Sequence, residues 1–196
     1  MRALEEYIKR KSSVLSEDVI KVSSFLNHQV DAGLLTVLGQ EMADAYRSRH
    51  ITKILTVEAS GIPIAFAAAL AMDIPFIYAR KSKTITQTDA FTSAVQSFTR
   101  KVTYQVSVEK EYLAATDRVL IVDDILAEGA AVRGLIDIVG QAEATLVGVS
   151  VAIEKSFQSG RKWLDSAGIP VHALARIARM SAEHGIEFIP SDYGGW

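Results

Sequence analysis

The sequence predicts an α/β protein with a mostly parallel central sheet and helices on both faces. Continuous apolar segments, typical of buried strands, alternate along the chain with segments of helical pattern. The chain has 196 residues, 49% of them hydrophobic, which is enough for one compact domain with a substantial core. In such sheets ligands bind beyond the carboxyl ends of the strands, so we expect the functional residues there.

Each element is predicted from its local pattern. Strands are expected over 53–58, 75–80, 118–123, 145–153 and 171–177, and helices over 62–72, 129–140 and 160–167. Pro63 suits the first turn of its helix, and Gly140 offers a C-terminal stop for the next one. Alternation in the polar stretch 84–110 predicts a hairpin arm with one solvated face. Its apolar positions are Val102, Tyr104, Val106 and Val108.

Composition excludes several classes of function. The net charge is −2 with Lys and Arg spread along the chain, which argues against a nucleic-acid partner. The absence of cysteine excludes disulfides and thiolate catalysis, and the four histidines lack zinc-ligand spacing. The charged start Met-Arg-Ala-Leu-Glu-Glu is unlike a signal peptide, and no uncharged apolar run reaches the ~18 residues of a membrane span. We therefore expect a soluble, cytoplasmic protein without membrane contact.

The most informative segment covers residues 119–131. An apolar run leads to Asp123 and Asp124, and a small-residue loop containing Gly129 then opens a helix. A helix start supplies free N–H groups and positive dipole for a phosphate, and the carboxylates can accept hydrogen bonds from sugar hydroxyls. This is neither a Walker loop nor a dinucleotide fingerprint. The segment predicts a site for a phosphorylated sugar; a charged strand end followed by a helix cap is the plainer alternative.

This segment resembles the signature of the type I phosphoribosyltransferases, which use phosphoribosyl pyrophosphate (PRPP). The resemblance implies the type I phosphoribosyltransferase fold, with Asp123 and Asp124 facing the ribose hydroxyls. It also implies a 5′-phosphate loop made of Ala127, Glu128, Gly129, Ala130 and Ala131. Many members have Thr-Gly-x-Thr/Ser here, so this loop must bind through its backbone N–H groups. Ala127 stands where hypoxanthine-guanine enzymes often carry an aspartate, which leaves that acid/base role vacant.

Two other strand ends carry candidate chemistry. Small residues follow the strand 53–58, and by resemblance Ala59, Ser60 and Gly61 form the pyrophosphate loop, where family members often have a cis peptide. An ordinary tight turn is the alternative. After the strand 75–80, Lys81 and Lys83 begin the segment that by resemblance closes over PRPP and reaches the pyrophosphate. The alternative is a solvated cationic strand end. With Asp123 and Asp124, these two lysines are the candidate catalytic residues.

A base pocket is predicted after the strand 145–153. Lys155 can donate to a carbonyl oxygen and Phe157 can stack on a purine; a surface lysine beside a core phenylalanine is the alternative. The segments 154–158, 22–30 and 97–99 together resemble the xanthine phosphoribosyltransferases of bacterial purine salvage. That resemblance implies base contacts from Ile20, Asn27 and Lys155. Asn27 could instead be a helix cap or a turn residue.

The resemblance implies transfer of the phosphoribosyl group from PRPP to xanthine, in a cytoplasmic homodimer. It implies one domain over 1–196, with a hood of about 1–35 and 178–196 and a mobile arm of about 81–110. Mg²⁺ is expected mainly through PRPP, with no separate protein metal site. Lys155 and Asn27 can both donate to the carbonyls of xanthine, whereas adenine needs an acceptor. Enzymes for guanine, hypoxanthine or adenine, a PRPP-sensing regulator and a non-catalytic nucleotide-binding module are the alternatives.

Overall fold

The structure is a computed structural model that describes residues 2–81, 89–97 and 102–190. Its helices are α1 (Arg2–Lys11), α2 (Ala32–Tyr46), α3 (Ile62–Met72), α4 (Ala130–Gln141) and α5 (Ser159–Ser166). Its first strands are β1 (Ser13–Val14), β2 (Ile20–Lys21), β3 (Lys53–Val57), β4 (Phe76–Ala79), β5 (Ala90–Ser97) and β6 (Val102–Glu109). They are followed by β7 (Arg118–Leu126), β8 (Thr145–Lys155), β9 (Val171–Ser181) and β10 (Gly185–Phe188). A 3₁₀ turn covers Lys110–Tyr112.

The central sheet has the strand order β10-β9-β8-β7-β3-β4. The neighbours from β9 to β4 are parallel, and β10 pairs antiparallel with β9 at one edge. The predicted mostly parallel sheet is therefore confirmed. Beyond β3 the sheet grows toward β4, and beyond β7 it grows the other way toward β9. The carboxyl ends of β3 and β7 thus flank the switch point at which α/β sheets bind ligands.

Helices cover both faces of this sheet, as the sequence predicts. On one face Ile54 of β3 and Leu120 of β7 join a core with α1, α2 and α3. On the other face Leu55 and Ile121, the next residue of each strand, join a core with α4 and with Leu164 of α5. All are fully buried, so the continuous apolar runs follow from strands that are covered on both sides.

Two predicted strand ends are wrong. Strand β7 does not end at Asp123 but continues to Leu126, because it stays paired with β8 as far as Leu126 opposite Glu154. Strand β9 likewise continues past the expected residue 177 to Ser181, because it stays paired with β10 as far as Ser181 opposite Gly185. Helix α4 ends at Gln141, one residue beyond the expected Gly140. The other predicted strands and helices are found within a few residues of their expected ends.

Strands β5 and β6 form the arm, an antiparallel hairpin that packs against α4. Val106 and Val108 are buried, whereas Thr103 and Gln105 are exposed, so the prediction of one solvated face is confirmed. A Cβ atom on Gly134 of α4 would lie 2.6 Å from Val95 Cγ2, which shows how closely the arm is seated. Phe98, Thr99 and Lys83 lie outside the described residues.

The N-terminal segment joins the same core. Leu4 and Ile8 of α1 are fully buried, and the turn that follows β2 buries Phe25 and Leu26. Within the described part of the chain, no helix is long and apolar enough to cross a membrane.

Candidate active site

The site is a cavity of about 690 Å³ at the carboxyl ends of the central strands. Its walls come from four separate parts of the chain: the turn between β1 and β2, the arm, the end of β7 with the loop after it, and the end of β8. These parts contribute, among others, Asp18, Tyr104, Asp123 and Lys155. The cavity therefore lies where the switch point of the sheet predicts it.

The loop from Ala127 to Ala131 lines this cavity with every one of its residues. Gly129 caps α4 in a left-handed conformation (φ 77°), which a residue with a Cβ rarely adopts. Beyond it the first N–H groups of α4 lack partners within the helix and carry its positive dipole end. The loop thus has the geometry of an anion site built from backbone groups, as its lack of hydroxyl side chains requires.

The acid pair lies inside β7 and is buried, with 4% of Asp123 and 6% of Asp124 exposed. The Asp124 N–H donates to Asp123 Oδ1 at 2.9 Å, and the Ile125 N–H donates to Asp124 Oδ1 at 2.9 Å. Burial, together with the neighbouring Asp124 carboxylate, raises the pKa of Asp123 well above its ordinary value. Asp123 lines the cavity, so a carboxyl group that is poorly stabilised as an anion faces the space for a ligand.

Asp124 brings together residues from two distant segments. Asn27 Nδ2 donates to Asp124 Oδ2 at 2.7 Å, and Ser60 Oγ donates to Asp124 Oδ1 at 3.2 Å. Asn27 is not the cap of α2, because Asp31 holds that position and accepts from the Leu34 N–H at 3.1 Å. The candidate base, pyrophosphate and ribose residues therefore meet at one carboxylate.

The turn after β3 lies directly beside the acid pair. The peptide bond between Glu58 and Ala59 is cis. A Cβ atom on Gly61 would lie 2.1 Å from Thr56 Oγ1 and 2.8 Å from Asp123 Oδ1, so only glycine fits there. Within the described residues, the buried Thr56 hydroxyl has no hydrogen-bond partner. The glycine allows the backbone of residues 59–61 to approach Asp123.

Lys81 lies at the start of the segment that leads to the arm. Its N–H donates to Glu58 Oε1 at 2.6 Å, and its Nζ lies 5.3 Å from the centroid of the Tyr104 ring. Its positive charge acts on Asp123, lowering the pKa of that carboxyl group against the larger effect of burial. Lys81 is therefore close enough to influence the acid pair electrostatically.

Besides Asn27 at Asp124, the candidate base-binding residues are divided among three places. Lys155 lines the main cavity, and its Nζ donates to the main-chain oxygen of Asp18 at 2.6 Å. Burial lowers the pKa of Lys155, while Asp18 and Asp124 oppose that shift. Ile20 is buried in the core, and Phe157, 40% exposed, lines a second cavity of about 540 Å³. The structure thus places Lys155, but not Phe157, beside the phosphate loop.

Asp18 and Gln158 were missed from the sequence, although both line the main cavity. Gln158 Nε2 donates to Asp18 Oδ1 at 3.3 Å, so Asp18 contacts both Gln158 and Lys155. Gln158 lies in the segment 154–158 that suggested the base pocket, and this was the available signal. Asp18 follows Ser16, whose hydroxyl accepts from two N–H groups in a serine turn, a pattern that gives no sign of a ligand.

Oxygen donors suitable for Mg²⁺ are present at the acid pair, because carboxylates are the ligands that this ion prefers. Among the residues that the structure describes, no group of three or more His, Cys, Asp or Glu side chains converges as a metal site.

The fold and the site define a class of protein: an α/β domain with a backbone-built anion loop and a buried acid pair at the switch point of its sheet. The family model described as "Phosphoribosyl transferase domain" matches residues 31–166. The chain belongs to this phosphoribosyltransferase family, and the predicted fold class is confirmed.

Relatives match this chain almost from end to end. A xanthine phosphoribosyltransferase of Brevibacillus brevis is 52% identical over 193 residues, 98% of each chain. One of Levilactobacillus brevis is 50% identical over 183 residues, 93% of this chain and 96% of the relative.

Solved structures of adenine phosphoribosyltransferases share the fold. The protein of Rhodothermus marinus aligns with a TM-score of 0.73 at 23% identity, over 90% of this chain and 99% of that one. The protein of Saccharomyces cerevisiae aligns with a TM-score of 0.71 at 23% identity, over 89% of this chain and 99% of that one.

Proposed function

We propose that this protein is a xanthine phosphoribosyltransferase of purine salvage, which converts PRPP and xanthine to xanthosine 5′-monophosphate and pyrophosphate. One observation carries the proposal: Lys155 and the complete loop 127–131 line the same cavity, so a base and a sugar phosphate can be bound side by side. The high identity to named xanthine phosphoribosyltransferases over nearly the whole chain supports this choice of reaction.

PRPP would bind with its 5′-phosphate on the N–H groups of the loop 127–131 and its ribose hydroxyls on Asp123 and Asp124. Residues Ala59, Ser60 and Gly61 would lie along the pyrophosphate, with the charges of Lys81 and Lys83 directed to it. When bound, Mg²⁺ would supply positive charge at the pyrophosphate, and Asp123 and Asp124 would help to hold it.

The chemical step replaces one bond at the anomeric carbon by another. The bond from this carbon to pyrophosphate breaks with its electron pair going to pyrophosphate, and a ring nitrogen of the base forms the new bond. The proton of that nitrogen leaves to water, since the position of Ala127 offers no acid/base group. The protein contributes positioning and charge stabilisation, and the closed arm would exclude water from the sugar cation.

Base choice would follow from two side-chain donors, Lys155 at the cavity and Asn27 beside Asp124. Lys155 would donate to one carbonyl of xanthine, and Asn27 would donate to the other after leaving Asp124 to the ribose. Ile20 would bound the base from the hood, and Phe157 would stack on it only if its side chain moved from the second cavity. Adenine presents an amino group at C6, which Lys155 cannot accept from.

Initial rates with PRPP, Mg²⁺ and each of xanthine, guanine, hypoxanthine and adenine test this function. We expect the wild type to prefer xanthine clearly. Asp124→Asn should lose turnover of xanthine, and Lys155→Ala should show a reduced preference for xanthine over the other bases. Lys162→Ala is the matched control, because Lys162 is exposed on α5 and does not line the cavity. Preference for another purine would overturn the base assignment, and PRPP binding without turnover would favour a regulator.

We also propose how the chain is organised around this reaction. It would act as one domain over 1–196, with residues 1–35 and 178–196 as a hood and residues 81–110 as a mobile arm. Because phosphorylated sugars do not cross membranes freely, the reaction belongs in the cytoplasm.

A homodimer is the expected assembly. Phe66 and Leu70, 54% and 70% exposed on α3, offer an apolar contact for a second copy. Light scattering of the wild type and Leu70→Lys would test it: a monomeric wild type contradicts the dimer.

A further inference from the structure

The first turn of α5 lies directly against the loop that we assign to the 5′-phosphate. The Gly160 N–H donates to the Ala127 main-chain oxygen at 3.1 Å. The Ser159 hydroxyl donates to the Glu128 carboxylate. A loop whose binding groups are all backbone N–H groups is therefore supported from outside by a second helix.

No side chain fits at the point of contact. A Cβ atom on Gly160 would lie 2.3 Å from the Ala127 oxygen, 2.9 Å from the Gly129 nitrogen and 3.0 Å from the Glu128 carbonyl carbon. All three are main-chain atoms, which cannot move aside as the end of a flexible side chain can. On the other side, a Cβ atom on Gly129 would lie 3.1 Å from the Gly160 Cα. The two segments meet backbone to backbone, so the position of one determines the position of the other.

The same turn of α5 is tied to the strand end that carries Lys155. Glu154, fully buried and adjacent to Lys155 on β8, accepts from Arg161 Nη1 at 2.7 Å and from Arg176 Nε at 3.2 Å. The Gln158 N–H donates to the Lys155 main-chain oxygen at 3.0 Å. Packed groups therefore run continuously from Lys155 through α5 to the phosphate loop.

We propose that Ser159 and Gly160 are positioning residues for the phosphate loop, and that they link it mechanically to the base-binding end of β8. This inference rests on the proposed function. The loop has no serine or threonine hydroxyl to orient a phosphate, so binding depends on where its N–H groups point. The contact with α5 fixes that direction and takes the place of the missing side chains.

Three variants test the proposal. Gly160→Ala should raise the KM for PRPP roughly ten- to a hundredfold, because displacement of a binding group by about 1 Å has effects of this size. Ser159→Ala, which creates no clash, should raise it about threefold, the effect of losing one hydrogen bond. Gly140→Ala is the matched control, since a Cβ there meets nothing within 4 Å, and its KM values should equal those of the wild type.

Binding of ribose 5-phosphate, measured by calorimetry without any base, is the second measurement. We expect the affinity for ribose 5-phosphate to be unchanged in Gly140→Ala, lower in Ser159→Ala and lowest in Gly160→Ala. The KM for xanthine should change less than the KM for PRPP. A purely structural role would lower the active fraction and leave both KM values unchanged, and that result would overturn the proposal. If Gly160→Ala does not fold, an unchanged PRPP KM in Ser159→Ala would overturn it as well.

The proposed function and the role of α5 can be disproved separately. A wild type that binds ribose 5-phosphate but transfers no phosphoribosyl group from PRPP to any purine contradicts the proposed function and leaves the binding comparison valid. A wild type that turns over normally, with equal ribose 5-phosphate affinity in all variants, contradicts the role of α5 alone.

Discussion

Asp123 lies in an environment that is unfavourable to its charge. It is 96% hidden from solvent, beside a second carboxylate, and burial raises its pKa well above the ordinary range. A carboxyl group with a raised pKa in the folded state stabilises the fold below its unfolded pKa. That contribution is lost as the pH rises through the folded pKa. At neutral pH Asp123 therefore opposes folding, which is expected of a group kept for ligand binding.

Asp123→Asn should consequently raise the free energy of unfolding at pH 7. Its Oδ1 can still accept from the Asp124 N–H, so the local hydrogen bond is kept. The gain over the wild type should be near zero at about pH 4 and grow as the pH rises, by ~1.4 kcal/mol for each unit of pKa difference. Urea unfolding at several pH values measures it. Exposed Asp137→Asn is the control and should stay within about 0.5 kcal/mol. A gain that is independent of pH would contradict the raised pKa.

Thr56 gives a second prediction for a single residue. Its hydroxyl is fully buried beneath Gly61 and has no partner within the described chain. Thr56→Val replaces it with a methyl group of similar shape, so the free energy of unfolding should rise by about 1 kcal/mol, the lower range for an unsatisfied buried polar group. Chemical denaturation measures the change. A loss of stability would mean that the hydroxyl is satisfied, for example by a buried water.

Single residues were predictable where one local segment carries the whole signal. Asp123, Asp124 and the loop 127–131 come from one strand, one turn and one helix start, so their role could be predicted without tertiary structure. Asp18 and Gln158 meet across 140 positions of sequence, and neither type of residue indicates a ligand by itself. Phe157 was placed with Lys155 because they are close in sequence, but the chain turns between them and directs them to different cavities.

Among the elements, helices α2 and α3 pack closely enough that their contact requires glycine. A Cβ atom on Gly39 would lie 2.4 Å from the Ala67 oxygen and 2.5 Å from its carbonyl carbon. Gly39→Ala should therefore lower the free energy of unfolding by about 1–3 kcal/mol, the usual effect of overpacking. This reverses the gain of up to ~1 kcal/mol that alanine gives in an open helix.

Gly140→Ala shows that gain without the clash. It makes the same exchange in α4, in open space, and should leave stability unchanged or slightly higher. Thermal unfolding of both variants separates helix propensity from packing. Equal effects of the two substitutions would show that the helices can move apart at no cost.

The ends of an element were predictable where the residues that start or stop it lie within it or next to it in sequence. Helix α3 runs over the expected 62–72 because Pro63 favours its first turn and a left-handed residue, Asp73, ends it. The end of β7 was misplaced because charged residues usually leave a sheet, whereas here pairing with β8 continues past both aspartates. That pairing depends on a strand more than 20 positions away, and no local pattern contains it.

At the scale of the whole molecule, the N-terminal segment binds two side chains of the candidate site. Asn27 binds Asp124, and the main chain at Asp18 binds Lys155, so the N-terminal segment occupies groups that we assign to ribose and base. Alternating strands and helices were sufficient to predict the sheet. The position of the cavity at the strand ends was predictable, but its full lining was not, because the walls come from four segments that only the folded chain brings together. Ligand binding must exchange these internal contacts for new ones.

Binding of PRPP should therefore stabilise the folded protein, and this stabilisation should depend on Mg²⁺. PRPP at about a hundred times its Kd adds ~2.7 kcal/mol to the folded state. For a chain of this size that corresponds to a rise in Tm of roughly 5–10 °C.

PRPP is strongly anionic and Asp123 and Asp124 are carboxyl groups, so without a cation their repulsion opposes binding. We expect EDTA to remove most of the shift in a thermal scan. Mg²⁺ alone should give little shift. An equal rise with and without EDTA would contradict a metal-assisted contact at the acid pair and would leave the loop 127–131 as the main source of PRPP binding.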